Sequence, residues 1–202
     1  MSRLHSRRPA TDAPSVAGGM VKGVAVLGLV KHLRSRRDEV LPHLRPELQH
    51  YLSDTLSVSG WYPETDHAEL LRAGAHLYAM PPERALERMG ELAARSHSEI
   101  YRELLVGHGS QSRTFALWST QHDTGELRRV REGSTRMSFE LTDFAGVSHE
   151  FCLSFTGYLR GTFLVNGYSD VTVDKVSCTL RNDPSCLWRC SWKREARGEP
   201  GG

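Results

Sequence analysis

The sequence predicts an α+β domain: a helical front half, then an antiparallel four-stranded sheet with one helix inserted between two hairpins. Three observations carry this. Apolar residues recur at helical spacing up to about residue 122. The pattern then switches to alternation, with Met137, Phe139 and Leu141 apolar between polar neighbours. Helical spacing returns once, at Cys152, Phe155, Leu159 and Phe163, before two further strand-like runs.

Taken in order, "MVKGVAVLGLVKHLRSR" reads as the first helix from Val21, with Val24, Leu27, Val30 and Leu33 apolar. Gly23 and Gly28 each cost such a helix about 1 kcal/mol, and they allow another element to pack closely. "RPELQHYLSD" is a short helix with Pro46 near its first turn. Pro63, Glu64 and Asp66 open the next helix, acidic where the macrodipole favours it, with Leu70, Leu71, Ala75 and Tyr78 as its stripe. "MPP" ends it, because a residue before proline avoids the α region, and Pro82 opens a helix carrying Leu86, Met89, Ala93 and Ile100. "GHGS" is a break, and "SRTFALWSTQH" is a short helix ended by "DTG". "EGS" turns the first hairpin, Asn166–Gly167 stops the inserted helix, and "RNDPS" joins the last two strands. The expected division is a disordered tail over 1–19, one domain over 20–193 and a disordered tail over 194–202. Within the domain, the helical part covers about 20–122 and the sheet part about 126–193. Met20 is a second candidate, beside Met1, for the start of translation.

The net charge of +2 is too near balance to argue for nucleic acid, and the densest basic cluster, "LRSRRDE", is partly offset by its own acids. No apolar run is long enough to span a membrane, and the first twenty residues lack the apolar core of a secretory signal. A cytoplasmic location with reduced cysteines is the expectation.

Three of the four cysteines lie in "CTLRNDPSCLWRC", Cys178 to Cys190. Only the interval from Cys186 to Cys190 falls within zinc-knuckle spacing. On a strand, Cys186, Trp188, Cys190 and Trp192 share one face, and a hairpin brings Cys178 beside them, with Cys152 or a histidine able to complete a cluster. Core packing, a metal or ligand contact and redox chemistry all stay open for these thiols, core packing being the commonest fate of a free cysteine. Of the ten histidines, His43, His50, His67, His76, His97 and His108 read as lying on polar faces or loops. His122 differs: at the end of an apolar helix, it is placed to cap that helix or to ligate a metal or haem iron. No nucleophile elbow, phosphate loop, dinucleotide fingerprint or paired acid and base is present, so no catalytic residue is assigned and an enzyme is not expected. Trp61, Trp118, Tyr158 and Trp188 are the candidates to line an apolar cavity between helices and sheet.

The front half, "VKGVAVLGLVKHL" followed by "WYPETDHAELLRAGAHLYAMPPERALERMGE", resembles the haem–nitric-oxide-binding (H-NOX-like) superfamily. The back half, "GYLRGTFLVNGYSDVTVDKVSCTLRNDPSCLWRCSW", resembles the 4-vinyl-reductase-type domain, including a cysteine and a "GDP-x-C"-like turn spelled Asn182 to Cys186. These families group structurally with the Golgi-trafficking TRAPP subunits, and a myxobacterial paralogous family of unknown function is similar over both halves. The resemblance spans about Val21 to Trp192. It implies the fold shared by the H-NOX, 4-vinyl-reductase-type and TRAPP families. It also implies a non-catalytic bacterial sensor or adaptor binding a small apolar ligand, with output through a homodimer or a signalling partner. Two alternatives come with it: a haem or zinc sensor using His122 or Cys178 and Cys186, and an interaction module without ligand. His122 stands near the family's proximal histidine. The family's Tyr-x-Ser-x-Arg motif for the haem propionates is absent, "EFCLSFTGYLRG" supplying only Ser154, and this disfavours haem. Zinc remains a candidate cofactor; the ligand is otherwise unassigned.

Overall fold

The first apolar run is not helical from its start. In the computed structural model, which describes residues 18–100, 117–131 and 133–193, Met20–Lys22 form a strand, β1, and the first helix α1 begins at Gly23 and ends at Ser35. β1 pairs antiparallel with β2 (Trp61–Pro63), Val21 facing Tyr62. A three-residue strand is too short to print an alternating pattern, so the helical spacing predicted from Val21 runs through β1. Gly23 has a specific reason to be glycine: a Cβ there would stand 2.0 Å from the Ser57 carbonyl oxygen.

A short helix α2 (Arg37–Val40) and two 3₁₀ turns (Leu41–His43, Pro46–Leu52) follow. Then come α3 (Glu64–Ala75) and α4 (Pro82–Ile100). Val26, Val30, Leu33, Leu48, Tyr51 and Leu70 form the front core among these elements. The predicted break at "GHGS", with His108, lies outside the described residues, as do most of the two tails. Residues 117–121 are helical and lead into β3 (Glu126–Arg131) and β4 (Arg136–Thr142). Helix α5 (His149–Val165) comes next, capped by the Ser148 hydroxyl, which accepts from Phe151 N at 3.0 Å. β5 (Ser169–Ser177) and β6 (Cys186–Lys193) complete an antiparallel sheet of order β3-β4-β6-β5.

Alternation along β6 buries Cys186, Trp188, Cys190 and Trp192. With Phe139, Leu141, Leu159 and Phe163 they make the back core, between the sheet and α5. Helix α5 is covered on its other side by α4. The front and back cores meet along these two helices, and the space left between them is where a site can form.

Candidate functional site

A cavity of about 570 Å³ opens between α1, α3, α4, α5 and the helical segment 117–121. That is within the range of small-molecule sites. Its wall is mostly apolar: Val24, Leu27 and Leu29 from α1; Met89, Leu92 and Ala93 from α4; Phe151, Phe155 and Leu159 from α5; and Leu117 with Trp118. Gly28 leaves room on the α1 side, since a Cβ there would meet nothing within 4 Å.

Of the candidate lining residues, Trp118 and Tyr158 stand on this wall. Trp61 and Trp188 do not. Trp61 sits on β2 beneath the Lys22 ammonium, 3.9 Å from its ring centroid. Trp188 is fully buried in the back core, its indole N–H donating to Thr156 Oγ1 at 3.0 Å. Period-two reasoning put Trp188 on an inward face; α5 then covers that face, so it belongs to the core rather than the cavity.

The polar part of the wall is histidine-rich. His32, His67, His97 and His122 all line the cavity, which corrects the reading of His67 and His97 as polar-face residues. His122 is buried, and its Nδ1 lies 2.5 Å from Glu64 Oε1. Because a carboxylate only accepts, the hydrogen of this bond belongs to Nδ1. Glu64 is itself 3% exposed and stands at the first position of α3, with His67 Nδ1 at 3.6 Å from its other oxygen. Burial pushes the Glu64 carboxyl up, but the charge and hydrogen bond of His122, then those of His67, outweigh it and hold it at about 2. Trp118 stacks on the His122 ring at 4.0 Å, and Phe144 meets it edge-on at 5.5 Å. An antiparallel bridge from Val21 to His122 and a pair of hydrogen bonds between Met20 and Asp123 tie this segment to β1. The sequence marks Glu64 only as a helix-opening acid; its partner is 58 residues away, and nothing local announces the pair.

His97 is buried on α4, its Nδ1 3.2 Å from Tyr158 Oη. Burial, helped by the charges of His67 and His122, pushes its imidazole down to about 4. Its folded value lies below the ordinary value near 6.5, so the unfolded chain takes the proton first. The stability it contributes is full above pH 6.5 and is lost as pH falls toward 4, by about 3 kcal/mol at the low end. Urea midpoints measured from pH 7.5 to 4.0 are expected to fall across this window, with a shallower fall in His97→Gln; an unchanged slope in the variant would show that His97 is not the source.

The cysteines form a second constellation. Cys152 on α5 joins Cys178 and Cys186, all three sulphurs lying within 4.8 Å of one another. Cys178 Sγ is 3.8 Å from each of the other two. Cys190 points into the core elsewhere on β6, opposite Met137 and Val173. Asp183 Oδ2 accepts from Cys178 N at 2.7 Å, and Asn182 takes φ +64°, so "NDPS" shapes the turn that places Cys178 against Cys186. Lys175 Nζ lies 3.0 Å from Cys152 Sγ and 3.5 Å above the Trp188 ring. The hydrogen bond to Cys186, then burial, raises the Cys152 thiol, against the Lys175 charge. The same bond, with Thr179 and Lys175 adding to it, holds Cys186 low against burial. The cluster thus favours one thiolate.

No family model matches the chain, and no curated protein does. Solved structures do. An H-NOX protein from S. oneidensis in the Fe(II)NO state superposes with a TM-score of 0.61 at 11% identity, covering 86% of this chain and 99% of that one. A mutant of T. tengcongensis H-NOX gives 0.63 at 12% identity, over 86% of this chain and 98% of its own. The fold is H-NOX-like. An oxygen-binding H-NOX domain related to soluble guanylate cyclases, solved as its oxygen complex, gives 0.61 at 12% identity, covering 90% and 100%. The H-NOX-like arrangement thus extends over nearly the whole described chain. No described helix is long and apolar enough to cross a membrane.

Proposed function

We propose that this domain is a non-catalytic sensor that binds a small, mainly apolar molecule in the cavity between its helical half and α5. The observation that carries this reading is the cavity itself: about 570 Å³, walled by four helices and the 117–121 segment, with a mainly apolar surface broken by a set of histidines. The H-NOX-like fold supports it, because the solved domains of that fold include an oxygen complex and an Fe(II)NO state. Occupancy that shifts α1 against α4 would be the signal, delivered through a dimer or a partner. Gly28→Phe, which fills the cavity from a position with open space, is expected to abolish thermal stabilisation by naphthalene-sized probes while the protein stays folded. Equal stabilisation of wild type and Gly28→Phe would sink the reading.

Haem is the second reading, favoured by the Glu64–His122 pair. A histidine that gives its far N–H to a carboxylate is the usual form of a metal-ligating imidazole. His122 would hold the iron, which would supply gas binding. The residues fit the iron better than the propionates: Lys31 is the one lysine or arginine on the described wall, which also carries Tyr78, Ser96 and Ser154. The missing Tyr-x-Ser-x-Arg motif therefore weakens propionate anchoring without removing the residue that would hold the iron. In the same experiment, haem titration with a Soret band in the wild type that is lost in the Glu64→Leu/His122→Phe double variant would select this reading over the first.

The thiol cluster suits zinc. Zn–S bonds near 2.3 Å place tetrahedral sulphurs about 3.8 Å apart, the spacing found at Cys178. Cys152, Cys178 and Cys186 would hold the ion as thiolates. About one zinc per chain is expected by elemental analysis, retained in Cys190→Ser and lost in Cys178→Ser/Cys186→Ser; a zinc-free wild type would end this reading.

A further inference from the structure

In the hydrogen bond between Glu64 and His122, Glu64 Oε1 accepts, so Nδ1 carries the hydrogen, and in the neutral ring Nε2 is left with a lone pair. Trp118 covers one face of the ring and Phe144 closes on its edge. No described residue bonds Nε2, and His122 lies on the cavity wall. An acceptor nitrogen, backed by a buried carboxylate, is thus presented to a mainly apolar space, beside Trp118 and Phe144. An anionic head group would meet the Glu64 charge, and a pure hydrocarbon would leave the nitrogen without a partner.

We infer that the ligand of this cavity is an apolar molecule carrying one hydroxyl, and that His122 Nε2 receives that hydroxyl, with Glu64 as the positioning residue that fixes the tautomer. This rests on the apolar-ligand reading above. Size sets the class further: a cavity of this volume suits a fused-ring or medium-chain alcohol better than a diatomic gas alone. The specificity is of the kind expected where a site is built around one hydrogen bond, since the analogue lacking the hydroxyl leaves a buried polar atom unpaired.

The test uses 2-naphthol and 2-methylnaphthalene, which differ only in hydroxyl against methyl, titrated at pH 8 into the full chain. The hydroxyl compound is expected to bind at least about tenfold more tightly. Glu64→Gln, whose side-chain amide can donate to Nδ1 and reverse the tautomer, is expected to lose most of that preference while still binding the methyl compound. Imidazole ¹⁵N spectra of the wild type give a readout independent of variant folding: the Nδ1–H tautomer at His122, and an Nε2 signal that moves with 2-naphthol and not with 2-methylnaphthalene. Equal affinities for the two compounds, both blocked by Gly28→Phe, would overturn the hydroxyl inference and leave the apolar-ligand reading standing. Binding of neither compound would overturn both.

Discussion

Gly157→Val is expected to destabilise the domain by about 3 kcal/mol or more, and Gly90→Val by a similar amount. The reason is the crossing of α4 and α5. A Cβ at Gly157 would stand 1.8 Å from the Glu87 carbonyl oxygen, and one at Gly90 would stand 1.8 Å from the Ser154 carbonyl oxygen. Both obstacles are helix backbone, which cannot step aside as a side-chain tip can. The two glycines answer each other across the interface, with Gly161 against Ala94 and Glu91 one turn further on. Forcing the helices apart also moves the cavity wall, because α4 carries Met89 and His97 and α5 carries Phe155 and Tyr158. Urea unfolding measures the loss. Gly28→Ala is the control: it meets nothing within 4 Å and replaces a helix-interior glycine, so it is expected to stabilise by up to about 1 kcal/mol. A Gly157→Val protein with wild-type stability would mean that the helices do not cross as described.

The back half was the more legible part of the sequence. β6 announces itself because four bulky or sulphur-bearing residues alternate along it, and α5 because Cys152, Leu159 and Phe163 fall on one face. Both signals are periodic and local. The front half misled where local signals are short: β1 is three residues, and its pairing with Trp61–Pro63 depends on a partner about forty residues away. The site was hardest to read for the same reason. His122 could be singled out by its place after an apolar helix. Nothing near it in the chain announces Glu64, because the pair is made by β1 and α3 folding against the 117–123 segment. The thiol cluster was half legible. Cys178 and Cys186 follow from the hairpin, whereas Cys152 and Lys175 join them only once α5 is laid on the sheet. The sequence suggests close packing at Gly23 and Gly28 of α1, whereas the close approach of α4 to α5 depends on Gly90 and Gly157, which no local pattern marks.

His122→Ala is expected to cost about 3–5 kcal/mol, more than the loss of its packing against Trp118 would suggest. The excess comes from what remains. Glu64 is 3% exposed, and without His122 its carboxylate keeps, among the described residues, His67 at 3.6 Å. The pH dependence identifies the cause. In the wild type the folded carboxyl is held at about 2, below its value near 4.5 in the unfolded chain, so its contribution is present above pH 4.5 and is lost as pH falls from there through 2. With His122 gone, burial acts on the carboxyl against weaker opposition and the folded value rises toward the unfolded one. The variant's stability should then lose its slope between about pH 4.5 and 2.5. Replacing both partners with apolar residues, Glu64→Leu with His122→Phe, removes the stranded charge and is expected to recover more than half of the loss. Such recovery would place the pair at the site for what it does to a ligand rather than for what it adds to the fold, since an apolar replacement would hold the helices together nearly as well. If the double variant were instead as unstable as His122→Ala alone, the hydrogen-bonded pair would be a structural strut, and the polar handle in the cavity would have to be sought at His97 and Tyr158.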